Sequence, residues 1–475
     1  MRSRSPWTVL AVLALAQFMD VLDVTIVNVA LPGIQRDLHV AGNDLQWVIS
    51  AYTLFYGGFL LLGGRAADLL GRRRTFLVGL AVFGVSSLAA GLAPTPGVLI
   101  ALRASQGLGG ALMSPAALSL LSVTFPAGRD RNVALGVWGG LAGLGGTLGV
   151  VFGGALVDAL SWRWVFLVNV PVVAGLLVVT PLLIASARPE RVGRRAFDLP
   201  GALLGTGGLL TLVLGVIRAE PAGWGSGQVL ALLATGVALL TAFIRVEAAS
   251  PDPLIPLRVF RSRGLGLGSG TLALNGAGFL AMFFLTAVFL QQVRGLSALA
   301  TGVDFLPMGG AAIAGALVAS NLVTRVGTRP VQLTGTVLSA AGLLLLSRVT
   351  ADGGYARQLL PGLLVFGAGI VAVGVPTQIA ALADVRSEDS GASAGVINAA
   401  YQVGGALGLA VISTLSTGAA HAATASGARP QDALVAGYHR GLLLAAAFAL
   451  VNVVLAGSTP RVRPTPEMVA AAAVG

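Results

Sequence analysis

The sequence predicts an all-α polytopic membrane protein with fourteen transmembrane helices. Three observations lead to this fold class. Hydrophobic residues make up 55% of the 475 residues and charged residues only 10%, whereas an average soluble protein carries about 25% charged residues. Apolar segments of roughly 18 to 25 residues, long enough to cross a hydrocarbon core of about 30 Å as helices, recur from end to end. An internal repeat relates the two halves of the chain.

The apolar segments number fourteen. The first resembles a secretory signal at its start, but it continues to Ala30, well beyond the apolar core of a signal peptide, so we interpret it as an uncleaved first helix. The predicted spans are 7–30, 45–66, 75–93, 97–121, 133–157, 163–185, 199–217, 228–247, 265–290, 299–322, 331–349, 358–382, 392–415 and 438–457.

The internal repeat indicates two related halves. Gly136–Val150 aligns without gaps to Gly395–Leu409, at an offset of 259 residues, and each copy follows a short charged stretch. Both copies enter the membrane from the same side, which indicates parallel repeats related by an axis along the membrane normal. We predict an N-terminal six-helix bundle (1–190), two inserted transmembrane helices (191–255), a C-terminal six-helix bundle (256–460) and a cytoplasmic tail (461–475).

The composition argues against several function classes. The chain has no cysteine, and its three histidines are not spaced as a ligand pair, so we predict no metal site and no thiol chemistry. All 30 basic residues are arginine, but they are spread over short loops, which argues against nucleic-acid binding despite a net charge of +11. We find no nucleophile, cofactor or P-loop pattern, and therefore predict that the chain is not an enzyme and needs no cofactor.

The arginines also predict an orientation. Of the 30 arginines, 21 fall on the side of the two termini, 8 fall on the other side, and Arg103 lies inside a span. The positive-inside rule therefore predicts a multi-pass protein of the inner (cytoplasmic) membrane with both termini in the cytoplasm.

Four charged residues lie deep in the predicted spans, where charges are costly and usually functional: Asp20, Asp23, Arg103 and Asp304. Asp20 and Asp23 share one face of the first helix, about a turn apart. Arg103 lies in the fourth span at a depth similar to that of Asp23, so the two can form an ion pair. One acid paired with Arg103 can stay ionised while the other exchanges a proton, which forms a site for a proton or a cationic substrate. The alternative is a purely structural ion pair.

Asp304, in the tenth span, is the third deep acid. It either faces a central cavity opposite the first helix or lies near the outer end in contact with solvent. Five aromatic residues either line a substrate site or serve packing and interfacial anchoring. They are Trp47, Tyr52, Trp138, Phe279 and Phe283.

The stretch "GRAADLLGRRR" joins the second and third spans on the predicted cytoplasmic side. Glycine permits a tight turn, the acid can cap the next helix or pair with an arginine, and the arginines suit a cytoplasmic loop. A positive-inside loop alone explains the arginines but not the spacing of the other residues. We take the pattern as a candidate cytoplasmic gate formed by Gly64, Asp68, Gly71, Arg72 and Arg73.

This loop resembles the G-x-x-x-D-x-x-G-R-[RK] signature of the major facilitator superfamily. The stretch "LDVTIVNVALP" resembles the first-helix signature of its 14-span drug:proton antiporter family. Further matches are "LQWVISAYTL", "RASQGLGGA", "SWRWVFLVNVP" and "FLQQVRGLSALATGVDFLP". The resemblance implies two six-helix bundles that rock around a central site, with two extra helices between them, and export of small molecules against proton entry.

The resemblance also implies roles for single residues. Asp68 and neighbouring arginines would form an ionic latch, although Asp68 can also simply fix the turn. Arg103 is implicated in proton handling. Asp23 occupies the acidic position of the first-helix signature and is the first choice as proton carrier, whereas Asp20 would tune it or select substrate. The fifth-helix motif G-x-x-x-G-P-x-x-G-G, linked to exchange, has valine in place of proline. Its positions are Gly145, Gly149, Val150, Gly153 and Gly154.

We therefore predict a proton-coupled exporter, an antiporter of amphipathic small molecules such as drugs or antibiotics. Its expected partners are the substrate, the lipid bilayer and protons as the coupling ion, with no obligatory protein partner. Two alternatives remain open. One is a metabolite exporter or uptake symporter on the same fold, and the other is a membrane sensor that does not transport.

Overall fold

The computed structural model describes residues 5–40, 44–125, 129–184, 198–250, 253, 255, 257–383, 385 and 390–462, apart from some side chains within these ranges. This part of the chain is almost entirely helical. The helices are α1 (Pro6–Leu38), α2 (Trp47–Leu70), α3 (Arg72–Gly91), α4 (Pro96–Thr124), α5 (Arg129–Ala159), α6 (Trp164–Leu167), α7 (Asn169–Leu183), α8 (Leu199–Ala222), α9 (Gly227–Ala249), α10 (Arg263–Val288), α11 (Ala298–Val326), α12 (Thr328–Leu346), α13 (Leu360–Leu382), α14 (Ser390–Ala425) and α15 (Pro430–Ser458). A 3₁₀ turn lies at Leu257–Arg261, and π-helical turns lie at Phe289–Val293 and Tyr355–Leu359.

These helices form fourteen membrane-crossing segments, which confirms the predicted fold class. Thirteen of the described stretches are long and apolar enough to cross a bilayer, and α6 and α7 together form one of them. The 31-residue helix α5 is the fourteenth. Some helices are longer than the apolar segments that predict them: α1 runs to Leu38 and α14 to Ala425. Hydropathy detects only the hydrocarbon core, whereas a helix can continue through the headgroup region on either side.

The helices pack as two bundles with a hairpin between them. Helices α1 to α7 contact one another, and α10 to α15 form the second group. The groups meet along two seams, where α5 packs against α11 and α2 packs against α14. The inserted hairpin of α8 and α9 lies at the second seam, because α8 packs against both α2 and α14.

The internal repeat is visible in helix packing beyond the two segments that reveal it in the sequence. A Cβ added at Gly109 of α4 would lie 2.6 Å from a backbone nitrogen of α3, and one added at Gly369 of α13 would lie 2.5 Å from a backbone nitrogen of α12. The second and third helices of each bundle are joined by a single glycine of positive φ, Gly71 at 97° and Gly327 at 89°. Both turns need glycine because a Cβ disfavours this conformation.

We call the end of the molecule that holds the start of α1 and the end of α15 the terminal end, and the end that holds the α1–α2 connection the opposite end. The two bundles are closed at the opposite end. Every residue of Thr25–Pro32 in α1 and of Leu280–Ala287 in α10 is buried. The Asp158 carboxylate of α5 accepts hydrogen bonds from the first two backbone N–H groups of α11, at 3.1 and 3.0 Å. The side-chain amide of Gln292 donates a hydrogen bond to Gln35 Oε1 at 2.7 Å. These contacts join the bundles across the opposite end.

Candidate functional site

Asp23 accepts hydrogen bonds from three side chains in the buried centre of the first bundle. Its Oδ2 lies 2.5 Å from Nη1 of Arg103. Its Oδ1 accepts from Nε2 of Gln106 at 2.9 Å and from Nδ2 of Asn169 at 2.8 Å. The exposed fractions of the Asp23 and Arg103 side chains are 0% and 1%. Helices α1, α4 and α7 therefore converge on a carboxylate that has a charged partner and further donors, as a stable buried ion pair requires.

The guanidinium of Arg103 makes further contacts that tie α2 to this ion pair. Its Nη1 also donates to Gln106 Oε1 at 2.8 Å, and its Nε donates to the backbone carbonyl of Val48 at 2.8 Å. Its Cζ lies 4.4 Å from the ring centroid of Tyr52, which is a cation–π contact. The ion pair thus holds α1, α2 and α4 in one arrangement.

Asp20 lies one turn from Asp23 toward the terminal end, and its described hydrogen-bond donors are tyrosines. The Tyr52 hydroxyl donates to Asp20 Oδ1 at 2.6 Å, and the Tyr56 hydroxyl is a second donor. Gly110 of α4 permits this approach, because a Cβ there would lie 3.0 Å from Asp20 Oδ1. Asp20 is 3% exposed. The two carboxylates are therefore both buried but differ in their partners, an arginine for Asp23 and neutral hydroxyls for Asp20.

Tyr52 connects the two carboxylates. Its hydroxyl contacts Asp20, its ring faces Arg103, and it stacks on Tyr56 with ring centroids 5.8 Å apart. The structure therefore places Tyr52 inside the polar cluster, where its hydroxyl and its ring are both occupied.

The aromatic contacts of Phe279 and Phe283 are packing contacts. Phe283 of α10 lies between Phe279 and Phe305, with ring centroids 4.8 and 4.9 Å apart, and so joins α10 to α11. Trp138 of α5 is 5% exposed. These positions favour packing over substrate lining for Phe279, Phe283 and Trp138.

Asp304 lies apart from the Asp20–Asp23 cluster. It is in the first two turns of α11, near the opposite end, and it is partly exposed. Its backbone carbonyl accepts a hydrogen bond from the Tyr355 hydroxyl at 2.7 Å. In the described part of the chain no hydrogen bond or ion pair joins it to Asp20 or Arg103. A role for Asp304 in proton or substrate binding stays a prediction.

The candidate gate forms a very short connection. Only Gly71 separates α2 from α3, and Nη1 of Arg73 donates to the carbonyl of Ile184 at the end of α7, at 2.8 Å. Arg72 is partly exposed. The side chain of Asp68 lies outside the described residues, so the ionic latch stays a prediction.

The tight helix contact near this gate is made by a glycine that the signature does not contain. A Cβ at Gly64 would have its nearest neighbour, the Pro115 side chain, at 3.8 Å, which is ordinary contact. A Cβ at the preceding Gly63 would instead overlap the α4 backbone at Ala111. Gly63 therefore sets how closely α2 approaches α4.

Three glycines of the fifth-helix motif face α1. Gly145, Gly149 and Gly153 recur every four residues along α5, which places them on one helix face. A Cβ at Gly145 would lie 3.1 Å from an α1 side chain, and one at Gly153 would lie 2.6 Å from another. The motif therefore brings α5 close to the helix that carries Asp20 and Asp23.

The rest of the motif lies at the seam between the bundles. A Cβ at Gly154 would lie 2.5 Å from the carbonyl oxygen of Ala298 in α11. Val150, which stands in the place of proline, is fully buried, and a Cβ at Gly302 of α11 would lie 2.6 Å from its carbonyl oxygen. This part of α5 therefore contacts the second bundle directly.

Replacing Gly154 with alanine should loosen the α5–α11 seam, because the new Cβ would meet backbone atoms of Ala298. Overpacking of this kind costs about 1–3 kcal/mol. We expect a lower midpoint of thermal unfolding in detergent. We also expect a cysteine introduced at Val29 to be labelled faster, and this labelling is selective because the chain has no native cysteine. Gly175→Ala is the control, because nothing lies within 4 Å of a Cβ at that position. Equal effects of both variants would contradict this description of the seam.

Three residues of the cluster were not predicted as site residues: Gln106, Asn169 and Tyr56. Gln106 and Asn169 do lie in two of the quoted stretches, "RASQGLGGA" and "SWRWVFLVNVP". The available signal was that each is a polar side chain inside an apolar segment, where it needs a partner. The sequence does not identify that partner, because Asn169 is 146 positions from Asp23.

Asn169→Leu should destabilise the cluster, because Asp23 then loses one charge-assisted hydrogen bond. The expected loss in the free energy of unfolding is about 1.5–3 kcal/mol, measured by thermal unfolding in detergent. Asn321→Leu is the control, because Asn321 is exposed and bonds only locally, to the carbonyl of Leu317. A midpoint unchanged in Asn169→Leu would show that the Asn169 contact adds nothing to stability.

Comparison with known proteins gives concordant matches. Residues 13–409 match the family model of the Major Facilitator Superfamily. The puromycin resistance protein pur8 of Streptomyces alboniger is 42% identical over 94% of this chain and 88% of that protein. The tetracenomycin C resistance and export protein of Streptomyces glaucescens is 38% identical over 86% of this chain and 76% of that protein. The lincomycin resistance protein of Streptomyces lincolnensis is 38% identical, with 86% and 84% covered.

Solved structures show the same fold. An auto-inhibited peptide transporter of the POT family superimposes with a TM-score of 0.68 at 16% identity, covering 96% of this chain and 99% of that one. A bacterial homologue of the human lysosomal transporter Spinster, in an inward-facing and unoccupied conformation, has a TM-score of 0.64 at 16% identity, with 96% and 97% covered.

Proposed function

Because this multi-pass membrane protein belongs to the major facilitator superfamily, we propose that it is a proton-coupled exporter of amphipathic small molecules. The proposal assigns no covalent chemistry to the chain and needs no bound cofactor. The observation that carries it is the pair of buried carboxylates with different partners in the first helix. The names of relatives that confer resistance to puromycin or lincomycin, or export tetracenomycin C, support export of compounds of this kind.

In this proposal Asp20 carries the proton and Asp23 is a fixed counter-ion. Asp23 is held by Arg103, and a proton on it would leave the arginine charge unpaired in the core. No cation contacts Asp20 within the described cluster, where only tyrosine hydroxyls reach it. A proton is therefore the charge partner that Asp20 can accept without displacing a charged group.

Tyr52 offers a path from the proton to helix movement. When Asp20 is protonated it changes from an anion to a neutral group, which alters the hydrogen bond from Tyr52. The guanidinium of Arg103 lies against the ring of Tyr52. A change in the hydrogen bond of Tyr52 therefore affects Arg103, whose contacts tie α1, α2 and α4 together. A contact whose strength differs between two states biases the equilibrium between them.

The direction of transport follows from the proposed orientation. With both termini in the cytoplasm, the opposite end faces outward, and the described conformation is shut on the outer side. A proton enters Asp20 from outside in the outward-open state and leaves to the cytoplasm in the inward-open state. One charge crossing 100 mV supplies about 2.3 kcal/mol, which sustains a gradient of about 50-fold for an uncharged compound.

The test uses everted membrane vesicles with an acidified lumen and a pH-sensitive dye inside. Ethidium, chloramphenicol and cholate represent cations, neutral compounds and anions. We expect at least one class to make the lumen more alkaline in vesicles that contain the protein, and not in vesicles from cells that lack it. If folded protein gives no signal with any class, proton-coupled export is contradicted. Proton-dependent uptake by right-side-out vesicles would instead indicate a symporter.

A further inference from the structure

We propose that one proton crosses per transport cycle, on Asp20 alone, and that the substrate does not contact this carboxylate. The membrane potential then drives compounds without net charge, and not monovalent cations. This inference rests on the proposed function, and it adds the stoichiometry and the substrate class that the membrane potential can drive.

Asp20 is enclosed tightly enough to separate a proton from an organic cation. Its Oδ1 lies 2.6 Å from the Tyr52 hydroxyl and would lie 3.0 Å from a Cβ on Gly110, and Tyr56 provides a second donor. A Cβ at Gly110 would also lie 2.8 Å from the Tyr56 ring, so ring, glycine and carboxylate are packed together. A proton needs no space beside an oxygen atom. An organic ammonium group could contact Asp20 only after both tyrosines had moved away.

Asp23 is unsuitable as a second proton carrier. Arg103, Gln106 and Asn169 all donate to it within 2.9 Å, and Arg103 has no other acidic partner in the described cluster. A proton on Asp23 would weaken all three hydrogen bonds, because a neutral carboxyl group is a poorer acceptor, and it would leave the Arg103 charge without a counter-ion. The network therefore keeps Asp23 ionised through the cycle.

Among the described residues of the second bundle, the positions equivalent to Arg103 and Gln106 form no ion pair. Gly367 and Gly369 of α13 follow Gly107 and Gly109 of α4 by 260 residues, and in both bundles these glycines pack against the second and the third helix. At the same offset, Leu363 occupies the position equivalent to Arg103, and Phe366 occupies the position equivalent to Gln106. Both of these residues are fully buried.

The positions of the other acids agree with a single carrier. Asp20 and Asp23 are the only acids that lie more than two turns from an end of any described helix. Asp304, the next deepest, is in the first two turns of α11 and partly exposed. Asp198 and Glu247 are also buried, but they lie at an end of α8 and of α9. Asp20 is thus the one acid in the middle of a described helix whose hydrogen-bond donors do not include a cation.

The stoichiometry decides which compounds the membrane potential can drive. Exchange of one proton for one neutral molecule moves one charge, so 100 mV sustains a gradient of about 50-fold. Exchange of one proton for a monovalent cation moves no net charge and responds only to the pH gradient. A carrier of two protons would reach about 2,500-fold for the neutral compound and would respond to voltage for the cation.

The experiment uses the purified full chain in proteoliposomes at equal pH on both sides, with a potassium gradient and valinomycin to set 100 mV. The probes are one neutral and one monovalent cationic compound that wild-type protein exchanges for protons. We expect carrier-mediated accumulation of the neutral probe to approach 50-fold, and carrier flux of the cation to be independent of voltage. Voltage-driven carrier flux of the cation would overturn the proposal, while absence of exchange for every probe would contradict the proposed function instead.

A binding measurement on Asp20→Asn tests the separation of proton and substrate. If the substrate does not contact Asp20, this variant acts on binding only through the equilibrium between inward-open and outward-open states, which both probes share. It should therefore change the affinity for the neutral and the cationic probe by the same factor, within about twofold. If the variant loses tenfold or more in affinity for the cation alone, the substrate pairs directly with Asp20 and the proposal fails. The wild-type stoichiometry decides the proposal even if this variant does not fold.

Discussion

Arg103→Gln should lower the free energy of unfolding by about 3–5 kcal/mol, because it leaves Asp23 as a buried carboxylate without a cation. That is a large part of the 5–15 kcal/mol typical of folded proteins. Glutamine also cannot replace the hydrogen bond from Arg103 Nε to the Val48 carbonyl and the cation–π contact with Tyr52. We expect little folded protein in the membrane fraction and a clearly lower unfolding midpoint in detergent.

The double variant Asp23→Asn with Arg103→Gln is the matched control. It removes both charges and leaves two amides in their place, so neither is an unpaired charge in the core. Replacing both members of a buried pair costs much less than removing one. We expect the double variant to recover most of the lost stability while transport stays absent, which a double-mutant cycle measures directly. If Arg103→Gln alone unfolds like the wild type, the ion pair is not the structural centre of the first bundle.

Asp20→Asn should abolish proton-driven export and leave the fold intact. The asparagine Oδ1 can still accept the Tyr52 hydroxyl, so the tyrosine cluster keeps its hydrogen bond. The amide cannot exchange a proton. We expect accumulation of a neutral substrate at 100 mV to fall from about 50-fold to none, measured in proteoliposomes.

Two measurements separate a coupling defect from a general loss. Substrate counterflow without a proton gradient needs only the change between inward-open and outward-open states, so Asp20→Asn should retain it. Asp304→Asn, in the second bundle and outside the cluster, should keep proton-driven accumulation close to wild type. Loss of coupling in Asp304→Asn would assign a proton role to the second bundle and would contradict the single-carrier account.

Much of the fold was predictable from the sequence, because bilayer thickness sets the length of each apolar segment. The repeat between α5 and α14 predicted the parallel halves, and the placement of the extra helices followed from it. The pairing of Asp23 with Arg103 was also predictable, since both lie deep in the membrane at similar depth and neither can remain unpaired there.

The detailed site was less predictable, because helix rotation and side-chain direction are not encoded in hydropathy. The sequence favoured Asp23 as proton carrier through its place in the first-helix signature. The geometry favours Asp20, since Asp23 has three donors that include an arginine and Asp20 has hydroxyls. Asn169 joins from a distant part of the chain. In the same way, Gly63 rather than Gly64 makes the close contact with α4, which only the rotation of α2 determines.

Infrared difference spectroscopy of the purified protein across a pH titration tests directly whether Asp20 carries the proton, because it observes the C=O stretch of a protonated carboxyl group. We expect a buried carboxyl band that titrates in the wild type, is absent in Asp20→Asn and remains in Asp304→Asn. If the band persists in Asp20→Asn, another carboxylate carries the proton, and the division of roles between Asp20 and Asp23 is wrong.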